Sequence, residues 1–258
     1  MLAQSEVDFI YLLAWIMIIS AVIVFLVLML TSNRAWYGRY YTDVNSRWLI
    51  PARLAWFIQE SPAFFVPLAY VWTDCQMLGK WENRILLALY LMHYTQRALI
   101  YPFLIRGGKS SPACIVAMAA TFCLCNGYMQ GRYHCAYAIY EKGHTTSIIA
   151  SAGIALFFAG FIINIQSDHI LRSLRKPGET GYKIPRGGMF EYVSGANFFG
   201  EMLEWLGFAL YAQTLPAIAF SIFTTANIGP RAWHHHQYYK EKFKDYPKTR
   251  KAIIPFLL

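Results

Sequence analysis

Asn164, Asp168, Arg172 and Arg175 repeat at helical spacing, so their side chains fall on or near one face of a helix that leaves an apolar stretch for a polar loop. The stretch reads NIQSDHILRSLRKPGETGYKIPRGGMFEYVSGANFFGE, and it re-enters apolar sequence with Asn197 and Glu201, again four apart. Between these two polar stripes lies a glycine-rich loop carrying Arg175, Lys176, Lys183 and Arg186. Taken singly, Asn164 and Asp168 cap a helix end and the cations answer the positive-inside rule. Taken together, they describe a site for a polyanion that is reached from a membrane surface.

Three further groups could do chemistry. Glu60, in WFIQESPAFF, is an acid inside an apolar segment, where a carboxyl is costly enough to mark function; the competing reading is a protonated helix-packing group. In HYTQRALIYP, His93, Arg97 and Tyr101 are four apart and Tyr94 lies three before Arg97, which predicts a hydrogen-bonding band on one helical face. Arg97 needs an anion, either Glu60, as a structural pair, or a phosphate, as part of a binding site. Near the C-terminus Arg231, His235 and Tyr239 form a fourth stripe. The run His234 to His236 does not converge on one ion, because consecutive helical residues point about 100° apart, so no metal is expected.

The elements that position these groups follow from composition. The chain has 258 residues, 57% of them hydrophobic and 14% charged, and a mean hydropathy of +0.33, which is too apolar for an ordinary soluble domain. Seven windows predict membrane-spanning helices: Phe9 to Leu30, Leu54 to Trp72, Ile85 to Ile105, Pro112 to Tyr128, Thr145 to Gln166, Tyr192 to Gln213 and Thr214 to Pro230. The fold class is all-α, a single polytopic membrane domain over residues 1–258. Net charge is +9, but the cations sit in short connections and the tail, with no soluble basic domain to present to nucleic acid. Arg34, Arg39, Arg47, Arg53, Arg106, Lys109 and the basic loop and tail follow odd-numbered windows, whereas the opposite side keeps chiefly Lys80, Arg84, Arg132 and Lys142, partly offset by Asp74, Glu82 and Glu141. That asymmetry predicts an outer N-terminus and a cytosolic C-terminus. The acidic segment Met1 to Asp8 argues against a signal peptide, so the first helix is expected to be retained. Five cysteines lack metal spacing and read as small buried hydrophobes, with Cys75 and Cys135 as the one conceivable disulfide. Gly127 and Gly131, four apart, predict a close helix contact. No P-loop, H-E-x-x-H or strand-linked G-x-G-x-x-G is present.

The segments NIQSDHILRSLRKPGETGYKIPRGGMFEYVSGANFFGEMLEW, RAWHHHQYYKEKFKDYPKTRKAIIPF, PARLAWFIQE and HYTQRALIYP together closely resemble the steroid 5-alpha-reductase family, from about Trp36 onward. The resemblance implies a seven-helix membrane oxidoreductase that uses NADPH to reduce the 4,5 double bond of a 3-oxo-4-ene steroid. It assigns Glu60 and Tyr94 to the substrate 3-keto oxygen, with Trp56 and Trp205 beside the substrate. It assigns Asn164, Asp168, Arg175, Tyr182, Asn197, Glu201, Arg231, His235 and Tyr239 to NADPH, and Arg97 and Arg172 fall in the same motifs. The expected setting is a monomer in the bilayer, in the endoplasmic reticulum or a bacterial inner membrane, with the cofactor site facing the cytosol.

Those residue types suit enone reduction. Hydride added at carbon 5 pushes charge onto the 3-oxygen, so a hydrogen-bond donor there stabilises the developing enolate. Tyr94 is expected to be that donor; Glu60 either donates as an acid or accepts from Tyr94 as a carboxylate. A polyprenal or very-long-chain enoyl thioester reductase with the same cofactor, and a seven-span receptor or transporter, are the competing readings. The second leaves Glu60, Tyr94, Arg97 and the basic loop unexplained.

Overall fold

The computed structural model describes residues 2–31, 48–174 and 182–258. Arg34, Arg39, Arg47, Arg175 and Lys176, invoked above for topology and anion binding, lie outside the described residues. The elements in chain order are α1 (Leu2–Leu30), a short strand β1 (Leu49–Ile50), α2 (Ala52–Thr73), α3 (Trp81–Tyr94), a π-helical segment (Thr95–Ile100), α4 (Tyr101–Leu104), β2 (Ser111–Pro112), α5 (Ala113–Ala136), α6 (Ile148–Ser173), α7 (Ala196–Ala212) and α8 (Leu215–Lys242). The two strands pair antiparallel, Leu49 with Pro112 and Ile50 with Ser111, and tie the start of α2 to the start of α5.

The chain is an all-α membrane protein. Gln4–Leu30, Ala113–Ala136 and Ile148–Ser173 are each long and apolar enough to cross a bilayer. Their outer faces leave Leu12, Ile19, Met118 and Ile162 more than half exposed, a surface that suits lipid and not water. The other expected windows also contain helix, but α7 has only 17 residues and α2, α3 and α8 dilute their apolar content with the polar groups of interest here.

Two helix pairs are brought together by glycine. On α6 and α7, Gly153 and Gly160 face Gly207 and Gly200, each pair seven residues apart. A Cβ at Gly153 would lie 2.7 Å from the Gly207 carbonyl oxygen, and one at Gly200 would lie 2.6 Å from the Asn164 nitrogen. Only bare backbone permits this approach. On α5, a Cβ at Gly127 would meet the Ala63 Cα at 3.1 Å and one at Gly131 the Pro67 Cα at 2.7 Å, so the predicted contact is with α2. α1 packs along α8 and buries Ile10, Ala14, Met17 and Ala21 on one face.

The core lies where α3, α6, α7 and α8 meet, around Tyr90, Phe157, Trp205, Phe208 and Phe220. At the end of the bundle where α1 begins, Arg132 of α5 reaches Glu6 at 2.9 Å and Asp74 at 2.6 Å, joining α1 and the end of α2 to α5. All five cysteines are free thiols, so the Cys75–Cys135 disulfide is not formed; Cys114 is exposed, against the expectation of burial.

Candidate active site

The α6–α7 glycine contact fixes the polar stripes against each other. With the backbones this close, the Asn164 side-chain amide donates to the Asn197 carbonyl at 2.9 Å. One turn further along both helices, Asp168 and Glu201 face the guanidinium of Arg97. Arg97 Nη1 donates to Asp168 Oδ2 at 3.0 Å, and Nη2 lies 3.6 Å from Glu201 Oε2. Its flat face lies over the rings of Trp56, at 4.7 Å, and Tyr101, at 4.9 Å. Arg97 thus joins α2, the π-helical segment, α6 and α7 through charge-assisted hydrogen bonds and cation–π contact.

The partners of Arg97 correct one expectation. Its direct anions are Asp168 and Glu201; Glu60 is instead approached by the Cys123 thiol, whose sulfur lies 3.9 Å from Glu60 Oε2. Residues Thr95–Ile100 form a π-helix, whose i→i+5 bonds widen the turn, and Arg97 and Tyr101 remain in contact across it. His93, before the π-turn, points to α7 and pairs with Glu204, Nδ1 to Oε1 at 2.8 Å. Arg97, inside the turn, faces α6 as well.

One residue from His93 is Tyr94, and one residue from Glu204 is Trp205. The rings of His93 and Trp205 are 4.4 Å apart, those of Tyr94 and Trp205 6.0 Å, and those of Tyr90 and Tyr94 4.8 Å. Tyr90 is itself held by Asn126, whose amide donates to its hydroxyl at 3.1 Å. Tyr90, His93, Tyr94 and Trp205 thus form a buried aromatic box, in which Asn126 meets the Tyr90 hydroxyl and Glu204 meets the His93 ring.

On the loop side, Arg172 stands over the other part of Tyr101, with its carbon 5.6 Å from the ring centre. Its Nη1 is buried and has no hydrogen-bond partner among the described residues. From α8, Arg231 and His235 flank Phe198 of α7 at 5.5 Å and 5.4 Å, and Arg231 also donates to Asn227 Oδ1 at 3.2 Å. His236, the next residue, turns away to the Ser194 hydroxyl at 2.6 Å, so His235 and His236 diverge as the helical geometry requires.

Not every expected residue joins this group. Tyr239 is buried against Tyr246, ring centres 5.5 Å apart and nearly parallel, in the cluster that holds the C-terminal tail. Tyr182 meets Tyr238 at 5.5 Å and the Lys242 ammonium at 5.1 Å, near the end of α8. Arg175 lies outside the described residues.

The tail has a structural duty that the sequence reading missed. It folds back onto the entrance to α7, with Ser194 N donating to the Lys251 carbonyl at 2.8 Å and Gly195 N to Ala252 at 3.0 Å. Arg250, fully buried, donates to the Pro185 carbonyl at 3.1 Å and lies 3.7 Å from Glu191. Glu191 in turn accepts from the Gly187 backbone N–H at 2.6 Å and pairs with Arg186 at 3.4 Å, which holds its carboxyl below the usual carboxylate range. Residues 185–187 are thus fastened before α7 begins. Glu204 was also missed, although an acid in FFGEMLEW falls under the same rule that singled out Glu60.

A separate cleft of about 680 Å³ opens at the other end of α7, lined by Tyr11, Tyr133, Tyr140, His144 and Gln213 among others. It shares no residue with the group around Arg97.

Residues 109–258 match the family model described as 3-oxo-5-alpha-steroid 4-dehydrogenase. The chain is 52% identical over 223 residues to 3-oxo-5-alpha-steroid 4-dehydrogenase 1 of Mus musculus, covering 86% of this chain and 87% of the relative. It is 50% identical over 224 residues to the Homo sapiens protein of the same name, covering 86% and 85%. It is 46% identical over 222 residues to 3-oxo-5-alpha-steroid 4-dehydrogenase 2 of Homo sapiens, covering 86% and 87%.

Proposed function

We propose, for a chain that belongs to the 3-oxo-5-alpha-steroid 4-dehydrogenase family and is thereby a steroid 5-alpha-reductase, that it reduces the 4,5 double bond of a 3-oxo-4-ene steroid with NADPH. The observation that carries this reading is the junction of two unlike environments. The Arg97–Asp168–Glu201 cluster and the Tyr94–Trp205 box lie within about one turn of each other on both the α3 rod and α7. A polar cofactor end and a flat apolar substrate can meet there.

The residues present suit a phosphorylated dinucleotide. Arg172 carries a buried N–H without a partner among the described residues, a feature that an anionic oxygen would satisfy. Asp168 and Glu201 are acceptors, suited to hydroxyl or carboxamide donors, and Arg97 already offsets their charge. Asn164, Asp168, Arg172, Asn197, Glu201, Arg231 and His235 would hold NADPH, with Arg175, Tyr182 and Tyr239 toward the loop and tail. When bound, NADPH supplies the hydride that reduces carbon 5.

The protein's own part is orientation and charge stabilisation. Trp205, Tyr90 and Trp56 would confine the steroid so that its 3-oxygen meets Tyr94. The phenol O–H donates to that oxygen, and the bond strengthens as the enolate forms. Glu60 shares this end, donating as an acid or orienting Tyr94 as a carboxylate. Burial of the box excludes water from the site of reduction. We further read the chain as seven spans, acting as a monomer, with an outer N-terminus. Arg53, Arg106, Lys183 and Arg231 then lie at the cytosolic end, where the charged cofactor is available.

The test is an assay of the purified protein in lipid nanodiscs with NADPH or NADH and a panel of enones, with products identified by mass spectrometry. The panel holds 3-oxo-4-ene steroids, a polyprenal and a very-long-chain enoyl thioester. The expected result is 5-alpha-dihydrosteroid formed with NADPH. Turnover of only the polyprenal or the thioester, or equal rates with NADH, would overturn the reading.

A further inference from the structure

We propose that Glu204 is a positioning residue for this reaction: through its hydrogen bond to His93 it fixes the register of α3 on α7 that presents Tyr94. The inference rests on the reductase reading above.

Glu204 is fully buried and His93 nearly so, and Nδ1 meets Oε1 at 2.8 Å. The other carboxyl oxygen, Oε2, is buried with no partner among the described residues. An acid kept in the core with half of its acceptor capacity unused costs stability, and an apolar residue of similar size would avoid that cost. What Glu204 gains is a single directional bond to α3, made beside the proposed catalytic tyrosine.

The placement gives that bond leverage. His93 and Tyr94 are consecutive on α3, and Glu204 and Trp205 are consecutive on α7, so a polar pair and an aromatic pair are locked side by side. His93 meets Trp205 at 4.4 Å with the rings tilted by 60°, and meets Tyr94 edge-on at 4.9 Å. A shift at His93 therefore moves both walls of the box. The π-helical segment starts at the very next residue, Thr95, where the regular i→i−4 ladder is interrupted. The rod is least able to hold its own register at that point, and a bond from another helix supplies it.

A role in proton transfer would use the same residues but depend on the carboxyl group; positioning depends on reach and on keeping one hydrogen bond. Glu204→Gln, Glu204→Asp and Glu204→Leu separate the two in the full-length protein. Gln preserves length and can still bond to Nδ1, so kcat should stay within about threefold of the parent. Asp is one methylene short and Leu cannot bond, so kcat should fall about tenfold or more in both, because misplacement of about 1 Å is enough to slow an oriented reaction. The KM for NADPH should stay within about twofold in all three, as uniform cofactor binding is untouched. Glu204→Asp retaining more activity than Glu204→Gln would overturn the inference in favour of proton transfer.

A second readout needs no turnover. In protein labelled with 15N-histidine, the His93 resonance, assigned by its loss in His93→Gln, should move in Glu204→Leu and stay near the parent position in Glu204→Gln. A His93 signal indifferent to Glu204→Leu overturns this inference whatever the enzyme reduces. A parent inactive on every 3-oxo-4-ene steroid overturns the reductase reading instead.

Discussion

Replacing Arg97 by methionine tests the claim that one guanidinium organises the site. Arg97 has a side chain about one-tenth exposed, and it faces Asp168 at 3.0 Å and Glu201 at 3.6 Å. Methionine keeps the bulk and the contact with Trp56 and Tyr101, so little packing is lost. What remains is two acids without their cation, one of them almost fully buried. Removing one partner of a buried ion pair costs about 3–5 kcal/mol, because the surviving charge is left uncompensated. Glu201 is more exposed than Asp168 and its contact is longer, so water shields part of its share and the lower half of that range applies. For a chain of this size, about 3 kcal/mol corresponds to a fall in Tm of roughly 6–12 °C. The assay is thermal unfolding in detergent of the parent, Arg97→Met, and Arg97→Met combined with Asp168→Asn and Glu201→Gln. Neutralising both acids should recover more than half of the lost Tm. A single variant within about 1 °C of the parent, or a triple variant no better than the single, would refute the organising role.

Three other outcomes follow from the same geometry. Gly200→Ala places a Cβ 2.6 Å from the Asn164 nitrogen, so α6 and α7 must separate. Overpacking of this kind costs about 1–3 kcal/mol, and a normal affinity for NADPH with unchanged Tm would contradict the close contact. Tyr94→Phe should lower kcat about 100-fold while KM for the steroid changes much less, by analogy with removal of an oxyanion donor; Glu60→Gln against Glu60→Asp then tells a donating acid from an orienting carboxylate, and near-parent turnover in Tyr94→Phe would remove the phenol from the mechanism. Glu191 titrates below its unfolded value of about 4.3, so it stabilises the loop above that pH and the contribution is lost as pH falls through the depressed folded value. Glu191→Gln should therefore lower Tm near neutral pH, with the difference shrinking as pH falls below about 4.3 and lost only below the depressed folded value; a constant difference from pH 7 to pH 3 would count against the Gly187 and Arg186 contacts.

The sequence by itself determined the class of the protein, an all-α membrane protein of the steroid 5-alpha-reductase family. Apolar windows set where helices run, because burying backbone in lipid leaves helix as the available form for such segments. Acids and an arginine inside those windows stood out in the sequence, since each is costly there. Local spacing also announced the Gly127–Gly131 contact and the continuation of α6 through Asp168 and Arg172.

Only the tertiary structure decided which of those groups meet. Pairing depends on helix phase and interhelical distance, which are set by partners far apart in the chain. Arg97 was expected to answer Glu60 or a phosphate; among the acids its direct partners are instead Asp168 and Glu201, on α6 and α7, and no composition signal foretold the π-turn on which it sits. The glycines at 153, 160, 200 and 207 looked unremarkable apart; their meaning is the absence of a Cβ on two facing helices, which lets the Asn164 amide reach the Asn197 carbonyl. The C-terminal basic tail read as surface charge, yet Arg250 is buried beneath the loop before α7 because the chain folds back through Lys251 and Ala252. Residue type sets the cost of each group in the membrane, and the fold alone assigns the partner that offsets it.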